Sequence, residues 1–235
     1  MKSQDFLLMY KLVSLYAQEE RLVKELSLSD SGPSAGAAAT GPALGWGSFA
    51  SVTDDSPFAD LDWYGWAEPT AVQSSTKSWS EHYSLRNLSA SLGLSKSEIS
   101  NSLRRCEYAG LVYSDHDTNI LKVNRRELLQ ITEFALKYFY PVRPGAIVRG
   151  IPTGFAAPAL NRHLKSAGTL LHVWPDPSGS ERGQLIEPLY KTVPQAAKQD
   201  RYLYHYLALV DAIRVGGPRE TGVAVNILRE GMGLK

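Results

Sequence analysis

The sequence predicts a mainly helical chain with one small β-hairpin, followed by a small α+β unit at its C-terminal end. Three observations carry this expectation. Two helical segments with clear start and stop signals lie between Ser84 and Gly110, separated by a turn of three or four residues. Two short β-type runs joined by a polar turn come next. Beyond Arg143, strand-like runs such as TLLHVWP and QLIEPLY alternate with helical periodicity.

The first segment, Asp5 to Leu26, reads as a long helix with Leu8, Leu12, Leu15, Leu22 and Leu26 on one stripe and Met9, Val13 and Tyr16 beside it. An apolar arc this broad needs more than one covering surface, supplied either by a partner or by the C-terminal unit. The run Phe6 to Tyr10 is too short for a signal peptide and is interrupted by Lys11, and no later run approaches a membrane span. The expectation is a cytoplasmic protein without a membrane role.

Residues 28–80 read as an insert. SDSGPSAGAAATGPALGWGS is rich in small residues, Gly and Pro, and has no periodicity, so loop or disorder is expected. FADLDWYGW then packs aromatics among acids. Asp30, Asp54, Asp55, Asp60, Asp62 and Glu68 lie between Asp30 and Thr76 without a Lys or Arg. Rings such as Trp63, Tyr64 and Trp66 are expected to dock on the body of the protein or a partner, where they would temper the basic face beside them. The Gly45–Gly47 pair lacks the preceding strand and following Lys of a phosphate loop.

Between Leu85 and Leu92, Leu85, Leu88 and Leu92 form one stripe, and Gly93 stops the helix. Ser95 and Glu98 make the Ser-x-x-Glu capping box of a second helix. Its Ile99, Leu103 and Cys106 fall on an inner face. Ser97, Asn101, Arg104 and Tyr108, with Ser100 beside them, fall on the outer one. An outer face of short polar groups and Arg suits a major groove, where Arg reads guanine and Asn reads adenine. Gly110 caps the end, and Leu111 to Ser114, Asp115 to Asn119 and Ile120 to Val123 read as strand, turn and strand.

The stretch LSASLGLSKSEISNSLRRCEYAGLV with the hairpin after it resembles the bacterial winged helix-turn-helix regulators of the MarR kind, over about residues 80–140. The resemblance implies a homodimer, formed in that family by the terminal helices, that binds double-stranded DNA with residues 95–109 as recognition helix. The long insert departs from the family pattern. The candidate DNA-binding residues are Arg86, Ser95, Lys96, Ser97, Ser100, Asn101, Arg104, Arg105, Asn119, Lys122 and Arg125.

Overall net charge is +1, so attraction to nucleic acid has to be local. Residues 84–126 supply it, with Arg86, Lys96, Arg104, Arg105, Lys122, Arg125 and Arg126 against Glu98, Glu107, Asp115 and Asp117, a local +3. The single cysteine, Cys106, sits on the inner face of its helix, where a structural thiol is expected.

After the hairpin, Asn124 and Glu127 make a second capping pattern, and a helix is expected to run to about Tyr140 with Leu128, Ile131, Ala135 and Tyr138 inside. Residues 143–235 form the C-terminal unit. GIPTGFAAPALNRHLKSAG reads as a turn and short helix, and TLLHVWP and QLIEPLY as a hairpin across DPSGSERG. Gln195 to Val215 and Arg219 to Met232 read as helices.

Signatures of catalysis, metal or cofactor are absent. His82, His116, His163, His172 and His205 lack metal-ligand spacing, and no nucleophile elbow or dinucleotide fingerprint occurs. Tyr202, Tyr204, His205, Tyr206 and Asp211 read as core or interface, or else as a pocket lining. Glu187 with Asp176 is a weak carboxylate pair. Asn87 to Ser89 form a sequon without meaning in a cytoplasmic chain. The leading expectation is a regulator that binds duplex DNA sequence-specifically. The alternatives are a protein-interaction module of antitoxin or scaffold type, and a sensor gated by a small-molecule effector held in the C-terminal unit.

Overall fold

A computed structural model describes residues 1–30, 79–161, 163 and 170–234. The insert expectations, including docking of the aromatic stretch, fall largely on residues 31–78 and so lie outside the described residues.

Helix α1 (Ser3–Asp30) runs through the middle of the fold. Residues 4–15 are all buried, whichever way their side chains point. The broad arc read from the sequence is therefore spent inside the chain over this half. The pair α2 (Leu85–Leu92) and α3 (Lys96–Tyr108) and the hairpin β1–β2 (Val112–Ser114, Leu121–Val123) pack on one side, and the C-terminal helices pack on the other. Farther along, Leu22 and Val23 are exposed.

Polar side chains of α1 tie it to both flanks. Asp200, 4% exposed, takes a 2.7 Å bond from Lys11 Nζ, bonds from Ser14 Oγ and Gln18 Nε2, and the backbone N–H of Leu203 at 3.0 Å. A buried carboxylate is tolerable when its oxygens are satisfied in this way. Burial alone would raise the Asp200 carboxyl; Lys11, with the Leu203 and Ser14 bonds, outweighs it and holds the carboxyl below its ordinary range. One turn before Ser14, Tyr10 shares a 2.6 Å hydrogen bond with Thr132, and on the other flank Asp5 accepts from Ser102 and Arg105.

Helix α4 (Arg125–Phe134) starts on Asn124, whose Oδ1 accepts from Glu127 N as expected. The single helix expected to Tyr140 instead breaks at Ala135, and α5 is the short piece Leu136–Phe139. Thr132 Oγ1 bonds back to the Leu128 carbonyl at 2.8 Å, a local competition that bends helices. The inner face is consequently Leu128, Leu129, Thr132 and Leu136. Tyr138, expected inside, is 72% exposed beside Phe134 and Phe139.

The C-terminal sheet differs most from expectation. Strand β3 (Ile147–Pro152), whose residues from Gly150 on read as a turn in the sequence, pairs antiparallel with both β4 (Leu171–Pro175) and β5 (Glu181–Leu185). Two strands antiparallel to the same third strand are parallel to one another, so β4 and β5 form no hairpin, and the three close a small barrel. Such closure needs close backbone approach. A Cβ on Gly150 would lie 1.9 Å from the Trp174 carbonyl oxygen, and one on Gly183 would lie 2.2 Å from that of Leu171.

Gly154–Ala156, a single 3₁₀ turn, and α6 (Pro158–Asn161) follow β3. The helix expected over Gln195–Val215 is divided by Asp200 into α7 (Val193–Gln199) and α8 (Arg201–Val215), because the Asp200 backbone is extended and its side chain caps α8. Helix α9 (Pro218–Gly231) ends the described fold. Trp174 Nε1, Thr153 Oγ1 and Arg214 converge on buried Asp211, joining the barrel to α8. Tyr204 and Tyr206, which are buried, donate to the carbonyls of Pro152 and Gly231, so the Tyr-rich helix is core. One continuous apolar cluster runs through α1, residues 83–136 and the C-terminal segment.

Breaking a buried ion pair from one side strands the remaining charge. Lys11→Met should therefore lower unfolding free energy by about 3–5 kcal/mol in urea titrations. A loss under about 1 kcal/mol would mean that water reaches Asp200 and screens it.

Candidate nucleic-acid interface

An exposed polar surface of chemically suitable type is built on α2, α3 and the hairpin. Helix α2 opens on Ser84, whose hydroxyl accepts from Asn87 N, and ends at Gly93, whose φ of 63° favours a residue without a Cβ. Leu88 and Leu92 face the core; Leu85, placed on the same stripe by periodicity, is 42% exposed at the first turn.

The Ser95–Glu98 capping box is complete: Ser95 Oγ accepts from Glu98 N, and the Glu98 carboxylate accepts from Ser95 N. Ile99, Leu103 and Cys106 are buried as expected, together with Ser102. Burial pushes the Cys106 thiol up to about 12, consistent with a structural role. The chain then turns through Ala109 and Gly110 into the hairpin, where Val112 pairs with Val123 and Ser114 with Leu121.

On the outer face, Lys96, Ser97, Asn101, Arg104 and Tyr108 are exposed and Ser100 is half-buried. Arg86 is exposed on α2. Asn101 and Arg104 make no side-chain hydrogen bond or ion pair with a described residue, so both are available to an outside partner. Ser95 is committed to its cap, and its hydroxyl lies 3.1 Å from that of Ser97.

Arg105 is a correction. Its side chain points inward along α3 and forms a two-pronged pair with Asp5 at 3.0 and 2.5 Å, with a further bond to Ser102. The i+1 position places it a quarter-turn round the helix from Arg104, toward α1. Asp5, fully buried, lies outside the segment counted as basic, so it reduces the local positive excess by one.

Arg125 is a second correction. It stacks over Tyr16 at 4.6 Å from the ring centroid and donates to the Met232 carbonyl at 2.5 Å, tying the hairpin exit to the end of α9. Lys122 is paired with Asp115 across the hairpin at 3.0 Å. Asn119 has a φ of 54° and accepts from Ser114 Oγ, so it shapes the hairpin turn, a conformation that Asn tolerates better than most residues.

Two cations that sequence reasoning missed act electrostatically on the start of α3. Hydrogen bonds from Ser95 hold the Glu98 carboxyl below its ordinary range, and the charges of Lys191 and Lys2 add to this. A Cβ on Gly93 would lie 3.3 Å from the Thr192 side chain, so the start of α7 abuts the α2–α3 turn. Residues this far apart in the chain carry no local signal of proximity.

Among the described residues, no three His, Cys, Asp or Glu side chains cluster to hold a metal, and no helix is long and apolar enough to cross a membrane. Asp176 is bound by Lys198 and Ser178, while exposed Glu187 contributes only its backbone carbonyl, to Arg214; the two acids form no pair. Comparisons with protein-family models, curated proteins and solved structures gave no match.

Asp5 allows an acid test of this arrangement. Burial raises its carboxyl, but the bonds from Arg105, Lys2 N and Ser102 outweigh it and leave the pKa below the ordinary value. A folded pKa below the unfolded one gives stability that is complete above roughly pH 4 and drains away as pH falls through the lowered value. Asp5→Asn should thus flatten the loss of urea stability between about pH 4 and pH 2 relative to wild type. An unchanged slope would mean that the carboxylate is solvated.

Proposed function

We propose that the protein is a sequence-specific, duplex-DNA-binding transcriptional regulator of winged helix-turn-helix type, resembling MarR proteins, with α3 in the major groove and β1–β2 as the wing. The supporting observation is α3 itself. It is fixed at its start by a complete capping box and on its inner face by the core, and it presents Ser97, Asn101 and Arg104 outward, with Asn101 and Arg104 uncommitted. A rigid helix with free Asn and Arg meets the geometric demand of base-edge readout.

The contact set in this reading is Arg86, Lys96, Ser97, Ser100, Asn101 and Arg104, with Lys2 and Lys191 as neighbouring positive charges. Lys122 and Asn119 would follow as wing contacts, Lys122 only by exchanging Asp115 for a phosphate. Arg105, Arg125 and Ser95 act as supports. A homodimer is part of the reading, but residues 4–15 cannot be its interface, since they are buried in their own chain. The exposed Phe134, Tyr138 and Phe139 are the apolar surface on which a second copy would seat, and sedimentation of a Phe139→Ser variant tests this. The same rings favour the second reading, a protein-interaction module, if the chain sediments as a monomer and ignores DNA.

Arg104→Ala should weaken binding to the preferred duplex by about 1–3 kcal/mol and relax selectivity at one base position, with unchanged thermal stability. Arg105→Ala should do the reverse, lowering stability while leaving base preference intact. Equal behaviour of Arg104→Ala and wild type in salt-varied DNA titrations would overturn the recognition-helix assignment.

A further inference from the structure

A cavity of about 200 Å³ opens beside the junction of α8 and α9, away from the α3 surface, lined by Phe155, His172, Val215, Gly216, Gly217 and Glu220. That space exceeds one water's share of liquid volume, about 30 Å³, several-fold. His172 is 8% exposed and lies in β4, with its ring against Phe155 at 4.3 Å between centroids. Its imidazole makes no hydrogen bond to a described residue, so its one donor and one acceptor are open to a molecule in the cavity. Burial lowers its pKa from the ordinary value, which favours the uncharged ring.

The other wall is the start of α9. Gly217 is the N-cap, Pro218 follows, and no side chain caps the turn. The first N–H groups of a helix have no partner within it, and they favour an acceptor. Glu220 stands in the same turn, its carboxylate 3.0 Å from where a Cβ on Gly217 would lie, and it favours a donor. A free anion would meet that carboxylate, and a cation would meet the positive end of the helix. A neutral group carrying a donor next to an acceptor satisfies both, while Phe155 and Val215 cover a flat apolar body.

We propose that this cavity is a binding site for a small, flat, uncharged molecule with an amide-like edge, its acceptor on the opening turn of α9, its donor on Glu220, and His172 closing the third side. The site is independent of the DNA reading and stands or falls without it.

The test is a titration of the ¹⁵N-labelled full chain with benzamide, benzoate and benzylamine, which share a ring and differ in the charge of the polar group. Benzamide should shift the Gly216 and Gly217 amides and the His172 ring signals saturably, with Kd of roughly millimolar order for so small a ligand. Benzoate and benzylamine should bind at least about fivefold more weakly, the worth of one lost hydrogen bond. His172→Phe, which keeps the ring contact, and Glu220→Ala should each weaken benzamide by about the same factor. Absence of a saturable benzamide shift, tighter binding of either charged probe, or folded variants that bind benzamide as wild type does would overturn the proposal. If a variant fails to fold, the wild-type order of the three probes decides.

Discussion

The all-round burial of residues 4–15 is the constraint on which the rest of the structure depends. A helix that is apolar on every side cannot be finished by one neighbour, so two separate stretches of chain have to close on it. Its few polar side chains then decide which stretches fit. Asp5 accepts Arg105 and Ser102 from one flank, whereas Lys11 and Ser14 hold Asp200 on the other. Buried ionic pairs of this kind add little net free energy over an apolar packing, but they penalise a mismatched register strongly. In this protein they fix the α2–α3 pair relative to the C-terminal helices, and they bring Lys191 next to the α2–α3 turn.

Local chemistry made the α2–α3–hairpin segment legible. Caps at Ser95 and Asn124 and the stop at Gly93 are written in adjacent residues, and each is found where the sequence puts it. The outer face of α3 followed from helical geometry alone. What could not be read depends on partners far away in sequence. Arg104 and Arg105 are chemically identical neighbours, and only the position of Asp5, a hundred residues earlier, makes one free and the other a support. The same holds for β3: its claim on both β4 and β5 overrode a turn sequence that locally favours a hairpin. Tyr138 was misplaced because Thr132, which looks like a surface residue, is drawn inward by Tyr10.

Charge illustrates the difference between composition and surface. The basic excess of residues 84–126 is real as a sum, yet Arg105 and Lys122 face carboxylates and Arg125 sits over an aromatic ring. Of the cations left without such commitments, Arg86, Lys96 and Arg104 lie on α2 and α3, and Arg126 lies at the start of α4. A small number of free, fixed cations on a nearly neutral protein favours recognition that depends on geometry over indiscriminate attraction to polyanions.

The central position of α1 also governs how the chain has to come together in time. The pair that anchors it, Lys11 with Asp200, is separated by 189 positions, and its other ionic pair, Asp5 with Arg105, by 100. Synthesis delivers this buried helix well before α8, the surface that covers one of its sides. Closing loops of that length before any contact rewards them slows the search, and an uncovered Phe6–Leu15 face invites association in the meantime. Until residues beyond 200 arrive, the face of this helix that α8 covers stays open to water.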